Sequence, residues 1–243
     1  MATWIIGDIH GCASELAQLL ERLAPGDDDV ILSCGDLLHR GPDPVGVIEL
    51  MQAHNIRFVL GNHELVVLER FGHAPGSVES ETTPAVEHAP DADMLRGDGG
   101  ERLLGADGAT ERVVQFLQTH SGFKIDGASK TKHDQEWCLV HAGVRPGVSL
   151  AEQDPDDLVR LRRTRSAGQP FWYEAWRGPE LVIFGHTHSR VPRIQRQARR
   201  PVAIGLDTGC VYGGRLTAYS PELDEFCQVA SARNYVTPRR VAS

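Results

Sequence analysis

Residues 4–11 read Trp4-Ile5-Ile6-Gly7-Asp8-Ile9-His10-Gly11. A short apolar run stops at a glycine, and an aspartate and a histidine follow at once. The same design returns along the chain. Val30-Ile31-Leu32 leads to Gly35-Asp36, and Phe58-Val59-Leu60 leads to Gly61-Asn62-His63-Glu64. Trp137-Cys138-Leu139-Val140 leads to His141-Ala142-Gly143, and Leu181-Val182-Ile183-Phe184 leads to Gly185-His186-Thr187-His188. Short apolar runs bounded by turn residues are strands. In α/β sheets, ligands bind beyond the carboxyl ends of strands, and glycine lets the backbone turn sharply there. Five strand ends therefore aim oxygen and imidazole groups at one crevice.

Outward from these segments, Leu16, Leu19, Leu20 and Leu23 predict an amphipathic helix over 13–23. A strand is expected at 29–34, a helix at 42–53 started by a proline, and a strand at 57–60. Strands alternating with short helices imply a parallel sheet with right-handed crossovers. A helix resumes at 110–117, and strand signals follow at 137–140, 181–184, 202–206, 216–219 and 225–229. The later strands crowd together without helices and read as an antiparallel or mixed sheet. The fold class is α/β, with two mixed β-sheets packed face to face as a sandwich and helices outside. A single domain spans 1–230, followed by a polar tail, 231–243, expected to fray. Residues 73–112 hold nine Asp or Glu against three Arg, so they read as an acidic loop insertion. Its length marks it as a flap or mobile loop, expected to fold over the cleft and filter substrates.

The 243 residues suffice for one large domain with a sizeable core. The net charge of −8 disfavours sequence-independent binding to nucleic-acid backbones, and no sequence-specific nucleic acid is expected as partner. No membrane partner is expected, since no apolar run approaches membrane-spanning length. Cys12, Cys34, Cys138, Cys210 and Cys227 are odd in number and lack a paired spacing. They fit buried thiols in a reducing cytoplasm, where the start of the chain shows no secretory leader. The arginines of 190–200 read as a solvated hairpin, and Phe171, Trp172, Tyr173 and Trp176 as packing rather than a base-stacking platform.

Carboxylate, amide oxygen and imidazole, without thiolate, suit two divalent ions, with Mn favoured and Fe, Zn, Ni or Co as alternatives. Two such ions can clamp a phosphate and activate a bridging water. Asp36 lies between the two ligand groups in sequence and is the candidate to bridge them.

The five segments, together with His141-Ala142-Gly143-Val144-Arg145-Pro146 and the long string Leu206-Asp207-Thr208-Gly209-Cys210-Val211-Tyr212-Gly213-Gly214-Arg215-Leu216-Thr217-Ala218, resemble the calcineurin-like metallophosphoesterase superfamily. More narrowly they resemble its phosphoprotein phosphatase branch, which includes bacterial serine/threonine phosphatases and symmetrical diadenosine tetraphosphatases. The resemblance implies the metallophosphoesterase fold. It implies Asp8, His10 and Asp36 on a first metal, and Asp36, Asn62, His141 and His186 on a second. His188 matches a further histidine of the wider superfamily, an additional ligand for the first metal. His63 would be the general acid. Arg40 and Arg162 would bind and stabilise the phosphate, with Arg160, Arg163 and Arg165 crowding the second of these. The activity implied is that of a serine/threonine-type protein phosphatase or broad phosphomonoesterase acting on a phosphorylated protein. The alternatives are a symmetrical bis(5'-nucleosyl)-tetraphosphatase acting on a nucleotide, and a non-catalytic phosphate- or metal-binding module.

One position departs from the family pattern. Gly35-Asp36-Leu37-Leu38-His39-Arg40-Gly41 carries His39 where the family usually has an aspartate that orients the catalytic histidine. A carboxylate there stabilises an imidazolium. Neutral His39 can only accept a hydrogen bond from His63, and it joins Arg40 and Arg162 as a candidate substrate-binding residue. His63 is thus expected to be a weaker base, suited to good leaving groups such as phosphoanhydrides and aryl phosphates. His39→Asp should raise turnover of alkyl phosphates relative to aryl phosphates, and an unchanged ratio would sink this account.

Overall fold

A computed structural model of the chain describes residues 1–71, 73 and 109–236. Of the insertion expected at 73–112, residues 74–108 lie outside the described residues, and so do residues 237–243 of the tail.

Strand β1 (Thr3–Ile6) is followed by α1 (Ala13–Leu23), β2 (Val30–Ser33), α2 (Pro44–Ala53), β3 (Arg57–Phe58) and α3 (Asn62–Arg70). Next come α4 (Ala109–Leu117), β4 (Lys124–Asp126), β5 (Trp137–Val140), α5 (Pro155–Arg160), α6 (Trp172–Ala175) and β6 (Leu181–Phe184). The hairpin strands β7 (Arg193–Gln197) and β8 (Arg200–Gly205), then β9 (Arg215–Ser220) and β10 (Glu225–Ala230), complete the order. One sheet runs β10-β9-β1-β2-β3 and the other β4-β5-β6-β8-β7. Each has three parallel strands, β1, β2 and β3 in the first and β5, β6 and β8 in the second, with antiparallel pairings toward the edges. The expected sandwich of mixed sheets is present.

Local chemistry sets the boundaries. The Leu16, Leu19 and Leu20 stripe buries α1 against the outer face of the first sheet, and α1 ends where Ala24 turns left-handed. Helix α2 starts two residues later than expected. Asp43 is its cap, accepting from the Gly46 N–H at 2.8 Å, and Pro44 takes the first helical position. Strand β3 is shorter than expected because the Leu60 N–H turns to the Gly122 carbonyl at 3.0 Å instead of the neighbouring strand. Strands β4 and β7 lacked a sequence signal. The first is only Lys-Ile-Asp, and the second is a polar edge, Arg-Ile-Gln-Arg-Gln.

Ile5, Leu32 and Val59 meet Leu139, Ile183, Ile204 and Tyr219 between the sheets. Strands β5 and β6 are buried along their whole length, as central parallel strands should be. On the outer face of the second sheet, Trp172, Tyr173 and Trp176 pack against Phe184 and Val182, so the aromatic cluster is core. The described part of the tail, 231–236, is tied to the body of the fold at Ser231 and Tyr235. The Ser231 N–H bonds the Gly214 carbonyl, and Tyr235 bonds the Val211 carbonyl and the Glu15 carboxylate.

Ile183 is fully buried between the sheets. Ile183→Ala should cost about 2–5 kcal/mol, read as a lowered midpoint in urea unfolding. A loss under about 1 kcal/mol would show that the sheets do not share one packed layer.

Candidate metal centre

The carboxyl ends of all six parallel strands meet in one crevice. From the first sheet, β1 delivers Asp8 and His10, β2 delivers Asp36, and the turn after β3 delivers Asn62 at the start of α3. From the second, β5 delivers His141, β6 delivers His186 and His188, and β8 delivers Asp207. Asp207 is the sixth strand-end donor. Its sequence signal was the same as the others, an apolar run followed by a carboxylate, but it stood inside the long string 206–218 and drew no ligand role of its own.

Ligand atoms of Asp8, His10 and Asp36 lie within 4.8 Å of one another, and so do those of Asp36, His141 and His186. Asp36 is common to both groups. Its Oδ2 is 3.6 Å from His10 Nε2 and its Oδ1 is 3.3 Å from His141 Nε2. Asn62 Oδ1 is 3.1 Å from His141 Nε2, and the Asp8 carboxylate accepts the His186 N–H at 3.0 and 3.1 Å. The backbone is held taut to achieve this. His10, Asp36, Arg40 and His186 all have positive φ, at 49°, 51°, 79° and 60°. Non-glycine residues in that region are strained and persist only where their surroundings fix them.

Glu64 is one such fixture, a residue with no role assigned from sequence. Fully buried, its carboxylate accepts the N–H groups of Asp36 at 2.7 Å, Leu37 at 2.9 Å and Gly61 at 3.1 Å. It joins the turns after β2 and β3. A second fixture is the carbonyl of Cys34, 2.8 Å from His141 Nδ1, which leaves Nε2 of that ring facing Asp36 and Asn62.

The electrostatics fit divalent cations. Burial pushes Asp36 up to about 7, and burial with the charges of Asp207 and Asp36 pushes Asp8 well above the usual carboxylate range. Burial also raises Asp207. The imidazoles move the other way. Burial lowers His141 to about 4 and takes His10 and His186 well below the ordinary histidine value, helped by Arg40 and His141 respectively. Neutral imidazoles with crowded, desolvated carboxylates form a donor set whose charge a cation would balance. His10 Nδ1 is in addition buried without a hydrogen-bond partner.

Asp8, Asp36, Asn62, His186 and Asp207 line a polar cavity of about 430 Å³ with Arg40, His63, Arg162, His188 and Tyr212. Among the clustered arginines, Arg162 is the one at the cavity, with Nη2 3.4 Å from the His186 carbonyl. Arg160 pairs with Asp156, and Arg163 stacks on Phe171. Arg40 Nη1 is 2.7 Å from His10 Nε2, and its guanidinium lies over the Tyr212 ring. Tyr212 was missed as a site residue because it stood inside a long family-like string with no chemistry of its own to mark it. His188 lines the cavity beside Asp207, Gly209 and Tyr212 but falls in neither three-ligand group. His63 Nε2 is 3.8 Å from Asp36 Oδ2. The His39 and His63 rings are 4.8 Å apart and tilted by 48°, and Nδ1 of each is buried without a partner. The hydrogen bond available to that pair is therefore not made. Burial and Arg40 hold His39 down at about 4, and the same causes with His39 keep His63 well below the usual value.

A sandwich of two mixed sheets with such a crevice defines a class. The chain belongs to the calcineurin-like phosphoesterase family, whose model matches residues 1–190. It is a phosphoric ester hydrolase of that family. A symmetrical bis(5'-nucleosyl)-tetraphosphatase of Citrobacter koseri is 43% identical over 260 residues, covering 89% of this chain and 90% of that protein. An asymmetrical bis(5'-nucleosyl)-tetraphosphatase of Bacillus subtilis is 28% identical, covering 92% and 93%. The crystal structure of a candidate diadenosine tetraphosphatase matches with a TM-score of 0.67 at 27% identity, covering 94% of this chain and 93% of that one. A serine/threonine phosphatase of Saccharomyces cerevisiae shares the fold at a TM-score of 0.55 and 12% identity, covering 98% and 82%.

Asp36→Asn removes the charge common to both groups. It should lower bound divalent metal per chain and cut phosphoesterase turnover at least about 100-fold. Metal content by atomic emission, unchanged from wild type, would exclude Asp36 as the shared ligand.

Proposed function

We propose that the protein hydrolyses dinucleoside polyphosphates, in the manner of a symmetrical bis(5'-nucleosyl)-tetraphosphatase. The observation that carries this is the likeness to symmetrical tetraphosphatases of several bacteria over about nine-tenths of both chains, at 43% identity for that of Citrobacter koseri. The phosphoprotein phosphatase expected first has weaker support, since that likeness is one of fold at 12% identity. The crevice agrees with a nucleotide. Its volume of about 430 Å³ is in the range of small-ligand sites, and Arg40 and Arg162 reach it from two different loops.

The proposed ligands are Asp8, His10, Asp36, Asn62, His141 and His186, with Mn the favoured ion; His188 has support only as a cavity residue near Asp207. When bound, the two ions supply Lewis-acid stabilisation of the charge that develops on the phosphate. The chain does the rest. Arg40 and Arg162 orient the phosphate through their planar forks of donors. His63 faces the same cavity and stands where a proton can pass to the leaving oxygen. No carboxylate stands in the place of His39 to raise the basicity of His63, and this matters least for a nucleoside diphosphate, a good leaving group. A cytoplasmic setting belongs to the same proposal, supported by five cysteines without disulfides.

The test is a panel on the Mn-loaded protein: diadenosine tetraphosphate, p-nitrophenyl phosphate and a phosphoserine peptide, with Asp36→Asn as control. Diadenosine tetraphosphate should be preferred and should yield ADP alone, with chelator abolishing turnover and added Mn restoring it. Products of AMP and ATP would mean asymmetric cleavage. A preference for the phosphopeptide would return the protein phosphatase to first place, and metal binding without turnover would make the chain a binding module.

A further inference from the structure

A second cluster of donors lies behind the crevice, and the phosphoesterase chemistry does not use it. Cys12, just before α1, and Glu15, in its first turn, meet Cys210 from the turn after β8. A sulfur from each cysteine and an oxygen from Glu15 lie within 4.8 Å of one another. All three side chains are out of solvent, at 0%, 0% and 2% exposure. Glu15 is held from one side only. Its Oε1 accepts the Ala232 N–H at 2.9 Å, the Tyr235 hydroxyl at 2.9 Å and the Ser231 hydroxyl at 3.4 Å. Its Oε2 is buried with no hydrogen-bond partner. A buried carboxylate oxygen without a partner is costly, and each such group asks for an explanation.

We propose that Cys12, Glu15 and Cys210 form a separate cation site for a thiophilic divalent ion of the Zn2+ type. Two sulfurs and a carboxylate oxygen are donors that Zn2+ accepts, and with all three within 4.8 Å of one another a single ion can reach each of them at bond lengths of about 2.0–2.3 Å. The crevice offers oxygen and imidazole, without sulfur, so the two sites differ in hardness and prefer different ions. The ion also answers the Glu15 oxygen left unpartnered. Its place in the fold gives it a role. Cys12 follows His10-Gly11, Cys210 follows Asp207-Thr208-Gly209, and Ser231 to Tyr235 close over Glu15. An ion here ties two loops of the crevice to the C-terminal segment and acts as a structural rivet.

The full-length protein, reduced and stripped with chelator, is titrated with Cd2+ while the near-ultraviolet sulfur-to-cadmium charge-transfer band is followed. The band should saturate at one Cd2+ per chain and be suppressed by Zn2+. Cys12→Ser and Cys210→Ser should each abolish it, and Cys227→Ser should keep it. Glu15→Gln, which retains an acceptor for the tail, should weaken Cd2+ binding about tenfold or more. Absence of the band in the wild type, or its survival in both serine variants, overturns the site. Alkylation mapping of the wild-type protein covers the case of variants that do not fold. Zn2+ should slow modification of Cys12 and Cys210 about tenfold or more. An unchanged rate, or a Cys12–Cys210 disulfide in the non-reducing peptide map that reduction and Zn2+ do not replace with bound metal, overturns it equally.

Discussion

The Glu64 carboxylate under the Asp36 backbone is the interaction on which the crevice depends. Asp36 must turn left-handed, at a φ of 51°, to reach both ligand groups at once. Such a conformation costs of order 1–3 kcal/mol for a residue with a side chain. Charge-assisted hydrogen bonds from the N–H groups of Asp36, Leu37 and Gly61 to one buried acid oppose that cost. Burial and the Asp36 charge hold Glu64 itself up at about 7, so a cation in the crevice that balances Asp36 also relieves Glu64. Positioning and electrostatics are thus joined in one pair of acids, one aimed at the cavity and one aimed at the backbone.

Most of the frame was legible because it rests on local patterns. Apolar runs that stop at or just before glycine marked β1, β2 and β6, one that stops at His141 marked β5, and Leu16, Leu19 and Leu20 marked the buried face of α1. What the sequence did not yield rests on distant partners. Glu64 looks like an ordinary helix-start residue until Asp36 and Leu37, far away in the chain, present their N–H groups. Arg162 could not be told from Arg160 and Arg163 until Asp156 and Phe171 took up those neighbours. Strand β7 has no apolar alternation to detect, being an edge with polar residues on both faces. The tail looked loose from composition, yet three of its groups end on Glu15, a residue more than two hundred positions earlier.

His39 illustrates how a single position shifts an otherwise shared mechanism. It sits at ring-stacking distance from His63 and is buried enough to stay neutral, so it adds neither charge nor a hydrogen bond through Nδ1. The neighbouring charge that a carboxylate would place beside His63 is thus missing at this position, while the guanidinium of Arg40, one residue on, adds a positive charge that lowers both imidazoles further.

The division of donors between the sheets has a kinetic side. The first sheet brings Asp8, His10, Asp36 and Asn62 from the first third of the chain, and the second brings His141, His186 and Asp207 from the remainder. The group of Asp8, His10 and Asp36 comes from the first sheet alone, but the group of Asp36, His141 and His186 draws on both, and its pairing closes loops of more than a hundred residues. Contacts of that sequence separation form late, after the entropy of bringing distant segments together has been met. During synthesis β1, β2 and β3 emerge before the imidazoles of β5 and β6 and before β9 and β10, which complete their sheet. The donor group that spans both sheets is thereby completed only when the sandwich closes.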